Sequence, residues 1–146
     1  MSVHGLSTDI EIDAAPERVW AILTDFAAYQ EWNPFLRFIR GVPEKGARLE
    51  ARIQSSGTSG MTIRPTVLAA EAGRELRWLG RLILPGVFDG EHRFLIEPLA
   101  PGKVRFRQDE HFRGLLVPLF KRRLDRDTKR GFMEMNRALK ARAEGS

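Results

Sequence analysis

The sequence of 146 residues predicts an α+β protein ordered as strand, two short helices, antiparallel meander and long C-terminal helix. Three stretches carry that prediction. Residues 10–35 change from a two-residue to a helical period within a few positions. Residues 35–113 divide into strand-length segments at turn residues, and residues 117–143 return to helical spacing.

Ile10 and Ile12 alternate with Glu11 and Asp13, the pattern of a strand with one buried face. Pro16 suits the first turn of a helix, with Glu17 beside it at the positive end of the helix dipole. Val19, Ile22, Leu23 and Phe26 then form one apolar stripe, and residues 29–32 form a second short helix that ends before Pro34.

Six strand-length segments follow, at 35–42, 47–54, 61–70, 75–84, 90–98 and 103–113, and with the first strand they make about seven. Leu49, Ala51 and Ile53 oppose Arg48, Glu50 and Arg52, while Leu76, Trp78, Leu82 and Leu84 alternate with Arg77 and Arg81, so the sheet has one wet and one apolar face. Ile63, Pro65, Val67 and Ala69 are assigned to the apolar side. Pro65 has no N–H to give a ladder and predicts a bulge or an unpaired stretch there. Residues 55–60 read as a flexible hairpin loop.

In the final helix Phe120, Leu124, Thr128, Gly131, Met135 and Ala138 recur every three or four residues. That stripe must face the sheet, and its middle, Thr128 and Gly131, is small. Either another side chain such as Trp78 fills the space, or a cavity remains.

Composition narrows the function classes. A chain of this length suits one domain over residues 1–146. The absence of cysteine excludes disulfides and thiolate chemistry. No basic-then-apolar leader and no apolar run of about 20 residues is present, so neither a signal peptide nor a membrane span is expected and the cytoplasm is the expected location. The net charge of +5 comes largely from Lys121, Arg122, Arg123, Arg126, Lys129, Arg130, Arg137, Lys140 and Arg142. These read as the solvated side of an amphipathic helix; no aromatic residue interleaves with them to stack bases, and nucleic acid is not an expected partner.

Chemistry gathers in the last two strands. If residues 100–102 form a three-residue loop, facing partners sum to 202, which sets His92 opposite Glu110, Phe94 opposite Gln108 and Ile96 opposite Phe106, on the face of Gly90 and Phe112. The pair has three readings: a proton-transfer device, a polar anchor for a ligand in an apolar pocket, or a mutually satisfied couple that holds register. A metal site is not expected, because His92 and His111 lie on opposite faces and His4 falls in a terminus expected to be mobile. No phosphate loop, dinucleotide fingerprint or nucleophile elbow occurs, and no cofactor is expected.

In a meander alternate connections share an end, so loops 55–60, 85–89 and 114–118 should cluster near Asn33 and Pro34. That end is apolar for loops: Leu84, Val87, Phe88, Leu115, Leu116, Val117, Leu119 and Phe120 all belong to it. They form a plug, a gate for an apolar ligand, or a contact with a membrane or partner.

Ala15-Pro16-Glu17, Val19-Trp20, Asp25-Phe26, Tyr29 and Trp32-Asn33-Pro34-Phe35 together resemble the opening of the START-like, or SRPBCC, superfamily. That superfamily includes the polyketide cyclase/dehydrase and lipid-transport group and the birch-pollen-allergen fold. The runs from Phe88 to Phe94 and from Glu110 to Leu116 resemble its last two strands. The resemblance implies a helix-grip fold, a curved antiparallel sheet wrapped around its last helix with ligand between them. Under it the expected ligand-binding residues are Phe35, Met61, Ile63, Trp78, Leu82, Phe88, His92, Phe94, Glu110, Phe112, Phe120, Leu124, Thr128, Gly131 and Met135. The first expected function is binding or transport of a small hydrophobic molecule: a lipid, a polyketide or an aromatic metabolite. The second is a cyclase or dehydratase with His92 as general base and Glu110 as its orienter. The third is a regulatory module that binds a partner through the apolar loops or the basic helix.

Overall fold

The computed structural model describes residues 3–54, 60–82 and 84–145. Strand β1 (Val3–Ile12) leads into α1 (Pro16–Thr24), a 3-10 turn (Phe26–Ala28) and α2 (Tyr29–Trp32). The meander comprises β2 (Leu36–Arg40), β3 (Glu50–Ile53), β4 (Met61–Ile63), β5 (Thr66–Glu71), β6 (Glu75–Arg81), β7 (Asp89–Ala100) and β8 (Lys103–Arg113). The C-terminal helix runs as α3 (Val117–Arg123), a π-helical turn (Leu124–Thr128) and α4 (Lys129–Glu144). All ladders are antiparallel, in the orders β1-β8-β7-β6-β5 and β2-β3-β4.

The expected strand at 61–70 is therefore two strands in two sheets, which raises the count to eight among the described residues. Pro65 is the cause, since it cannot donate to a ladder. Its carbonyl instead accepts from the Leu49 N–H at 2.8 Å, Val67 N–H donates to Ala47 at 2.8 Å, and Arg48 bridges to Thr66. The segment before β3 thus pairs with β5 and β3 itself pairs with β4. The two sheets meet along residues 46–49 and 65–67. Strand β6 ends at Arg81, so Leu82 and Leu84, expected on the buried face, emerge into solvent beyond it.

The C-terminal helix closes the inner face along a stripe that only partly matches the predicted one: Leu124, Gly131 and Met135 are buried as expected, while Phe120, Thr128 and Ala138 are half-buried. The π-helical turn takes up an extra residue and shifts the phase, so the buried side of α4 keeps the predicted Gly131 and Met135 but adds Phe132, Asn136, Leu139 and Ala143. Phe132, absent from the predicted stripe, packs edge-on against Phe35 at 5.5 Å and fills the middle that Thr128 and Gly131 were expected to leave open. The basic residues lie on the outer side: Arg142 meets Glu31 at 2.8 Å, and Lys140 meets Glu144 at 2.7 Å.

Tyr29, the only tyrosine of the sequence, is wholly buried and donates its hydroxyl hydrogen to the Leu23 carbonyl. Burial, and secondarily the Asp25 carboxylate, push the phenol far above its ordinary ionisation range. The folded state therefore keeps a proton that the unfolded chain releases above pH about 10, so this contribution is intact below that pH and lost as pH rises beyond it. Tyr29→Phe should cost about 1 kcal/mol at neutral pH and remove this part of the alkaline decline. Urea unfolding across an alkaline series checks it; parallel decline of both proteins would contradict the assignment.

Candidate functional site

The β7–β8 hairpin has the register expected from the sequence. His92 faces Glu110, Phe94 faces Gln108 and Ile96 faces Phe106. The turn differs: Ala100 pairs with Lys103 around a two-residue Pro101-Gly102 turn, with Gly102 at φ +73°, and the ladder shifts between Pro98 and Ala100. The irregularity at Leu99 offsets the shorter loop, so every pair from Pro98 inward keeps its place.

Between this hairpin, β6, the β3–β4 edge and α3 lies a cavity of about 690 Å3. Its wall is largely apolar: Phe35, Ile63, Trp78, Phe88, Phe112, Phe120 and Leu124 line it, with Leu36, Ile53, Met61, Leu82 and Leu116 towards the mouth. Asn33 sets the position of Phe35, because its side-chain oxygen accepts from the N–H groups of Phe35 at 2.9 Å and Leu36 at 2.8 Å. Thr128 reaches the wall, as do Arg123 and Asp127 from the same stretch of helix. Three expected ligand contacts do not. Phe94 lies beneath His92, stacked at 4.1 Å, and Met135 is fully buried in the core. Gly131 is buried on α4, behind the turn at which Phe132 closes that end.

Gly80 and Gly90 face each other across β6 and β7, and both line the cavity. Neither has a positive φ, so what distinguishes them is the missing side chain. A Cβ on Gly80 would meet nothing closer than the Gly90 carbonyl at 3.9 Å, whereas the place of a Gly90 side chain is taken by the Glu110 carboxylate. Gly80 therefore leaves a bare patch of sheet in the cavity wall, and Gly90 makes room for Glu110. Gly80 was missed in the sequence, although a glycine inside a strand pattern at Trp78-Leu79-Gly80-Arg81 is a signal for close approach.

The polar constellation is wider than a pair. His92 Nδ1 stands 3.0 Å from Glu110 Oε1, and its Nε2 stands 2.9 Å from Gln108 Oε1. Gln108 Nε2 donates to the Phe132 carbonyl at 3.2 Å and to Asn136 Oδ1 at 2.8 Å, and Asn136 Nδ2 donates to Thr8 Oγ1 at 3.0 Å. The Phe132 carbonyl can only accept, so the Gln108 atom facing it is the amide nitrogen, which leaves Oε1 towards His92. An oxygen in that place requires a hydrogen on His92 Nε2. The other ring nitrogen, Nδ1, is left facing the Glu110 carboxyl group.

Both ring nitrogens of His92 thus face partners, Nδ1 towards Glu110 and Nε2 towards Gln108. Glu110 Oε2 points to the cavity side: a Cβ on Gly90 would stand 2.4 Å from it. Gln108, Asn136 and Thr8 were not expected in the constellation, because the contact between the last helix and β1 that completes it is not visible in a hairpin register. His111 lies on the outer face, as the alternation implies. His4 belongs to β1, opposite Phe112 and 2.6 Å from Asp125, rather than to a mobile end.

The mouth is built by loops joined through their backbones. Leu115 N–H donates to Gly86 at 3.2 Å and Leu116 N–H to Val87 at 3.1 Å. Gly114, at φ +135°, allows this approach, since a Cβ there would stand 2.3 Å from the Val87 oxygen. Gly60 and Met61 complete this rim; residues 55–59 of the expected loop cluster lie outside the described residues.

The family described as polyketide cyclase / dehydrase and lipid transport matches residues 4–144. The chain belongs to this family. It is accordingly a START-like, SRPBCC protein, and solved structures agree with that fold. A START superfamily protein from Mycobacterium smegmatis is 22% identical, with a TM-score of 0.75 and 97% of each chain covered. The Zhui aromatase/cyclase from a Streptomyces species is 14% identical, with a TM-score of 0.80 over 98% of this chain and 94% of its own. Norcoclaurine synthase from Thalictrum flavum, in complex with dopamine and hydroxybenzaldehyde, is 9% identical, with a TM-score of 0.73 over 99% of this chain and 90% of its own. At these identities the likeness concerns the fold alone. Comparison with curated proteins finds no sequence match. Among the described residues no helix is long and apolar enough to cross a membrane.

Proposed function

We propose that this protein binds a small hydrophobic molecule, a lipid, polyketide or aromatic metabolite, between its sheet and its C-terminal helix. The observation that carries the reading is the cavity of about 690 Å3, apolar along most of its wall and with the sheet at Gly80 left bare of side chains. A volume of this order is typical of sites for small organic ligands, in which a few polar groups orient a mostly apolar guest. Glu110 is the group placed to do so, and the family's description in terms of lipid transport is consistent with it. Native mass spectrometry of the purified protein, followed by extraction, should recover a bound small molecule that a cavity-filling variant does not retain. A chain that neither retains a molecule nor takes up a hydrophobic fluorophore would contradict the proposal.

A second reading, proton-transfer catalysis of the cyclase or dehydratase type, is favoured by one observation: the amide chain turns His92 Nδ1 towards the Glu110 carboxyl group, 3.0 Å away, in the cavity wall. Relatives of this fold that carry the names aromatase/cyclase and synthase support it. With the recovered molecule as substrate, Glu110→Gln separates the possibilities. Catalysis predicts a loss of turnover of about 100-fold or more with affinity held within a few-fold. Anchoring predicts weaker binding by ~1–3 kcal/mol, and a purely structural couple predicts lower stability alone.

A further inference from the structure

We propose that the mouth of the cavity is a docking surface for an anionic lipid bilayer. Leu115 and Leu119 are each 76% exposed and Leu84 is 64% exposed, the three most exposed large apolar residues among those described. They stand together. The backbone hydrogen bonds from Leu115 and Leu116 to Gly86 and Val87 hold the loop of Leu84 against the start of α3. Leu119 lies in the first turn of α3, and Leu115 in the turn that leads into it. Leu82, Leu116 and Phe120, beside them, line the cavity, so the exposed leucines continue its apolar rim outwards.

Charge selects the occupant. Lys121 and Arg122 lie two and three residues beyond Leu119 on α3, and neither makes an ion pair among the described residues; Arg123, next to them, sits over the Phe120 ring at 5.8 Å and near the Asp127 carboxylate. The two nearest acids are engaged elsewhere, Asp125 by His4 at 2.6 Å and Asp127 by Arg126 at 2.9 Å and Arg130 at 3.1 Å. The leucine tips are therefore edged by two cations, Lys121 and Arg122, that have no ion-pair partner among the described residues. Leucines that enter the acyl boundary, with lysine and arginine held at headgroup level, match an interface that is apolar inside and anionic at its surface. A second copy would fit poorly, because a two-fold contact sets Lys121 to Arg123 against themselves. The docking goes beyond the proposed cavity function and does not depend on what the cavity holds.

The test is co-sedimentation of the full chain with two kinds of vesicle, pure phosphatidylcholine and phosphatidylcholine mixed with phosphatidylglycerol. Binding is expected to the mixed vesicles, weakly or not at all to the neutral ones, and to fall as salt rises. The double variant Leu115→Asp, Leu119→Asp should bind the mixed vesicles at least about tenfold more weakly. Lys121→Glu with Arg122→Glu should cost about fivefold or more at each position. All four positions are exposed, so thermal unfolding should not change. Uptake of a hydrophobic fluorophore by the same variants is measured in parallel; its survival while sedimentation is lost separates docking from the cavity function. Absence of sedimentation with both vesicles, binding that the variants leave intact, or self-association abolished by the leucine changes would overturn the proposal.

Discussion

Deletion of the chain from Val117 onward should leave a polypeptide without a cooperative thermal transition. Leu124, Phe132, Met135 and Leu139 are buried almost completely, and each contributes about 1.5–3 kcal/mol by burial. Together that rivals the roughly 5–15 kcal/mol by which a whole domain is stable. The loss extends beyond the helix: Phe35 and His92 would lose the Phe132 ring that packs on them, and Gln108 would lose both acceptors that α4 provides. Calorimetry of the shortened chain decides the matter. A sharp transition there would mean that the sheet and α1 form a core of their own.

The same helix shows where the sequence is legible and where it is not. That residues 117–143 are helical with one apolar side follows from spacing alone. Past Thr128 the spacing gives Gly131 and Met135 of that side but not Phe132, Asn136, Leu139 or Ala143, because the π-helical turn changes the phase and nothing in Leu124-Asp125-Arg126-Asp127-Thr128 announces it. Phe132 in the centre of the molecule is the result. By contrast the His92–Glu110 pairing was readable, since a hairpin's register depends on its turn and on the alternation of a buried face, both local in sequence. The bulge at Leu99 compensated a turn one residue shorter than expected, which shows that the buried alternation governed the register and the turn adapted to it. The break at Pro65 was foreseeable as a missing donor, but not as a change of sheet, because that depends on the chain at 46–49 arriving as a second partner.

For the site, apolar residues at alternating positions identified most of the cavity wall, while roles within the constellation were not accessible. A strand pair can place an imidazole beside a carboxylate. The tautomer of the imidazole depends on Gln108, on the Phe132 carbonyl and on Asn136, which belong to elements far apart in sequence. The exposed leucines of the mouth were recognisable as an apolar loop cluster, yet only the exposures of Leu84, Leu115 and Leu119 distinguish a free surface from a plug.

Gly80→Leu is the substitution expected to have the largest effect on binding with the least on the fold. Its Cβ meets no atom nearer than 3.9 Å, its φ is ordinary, and the side chain would extend across the bare patch into the cavity. Replacing a glycine within a strand removes an entropic burden of about 0.5–1 kcal/mol, so stability should hold or rise. Affinity for the retained molecule should fall at least about tenfold, which requires only about 1.4 kcal/mol of lost contact or clash. Gly131→Leu is the control, because Gly131 is not on the cavity wall and any effect there should appear in stability before affinity. Thermal unfolding and titration of both variants with the molecule recovered by extraction distinguish the outcomes. If Gly80→Leu unfolds at the wild-type temperature or above and binds with unchanged affinity, the bare sheet at Gly80 does not form the ligand's seat and the binding site lies elsewhere in the molecule.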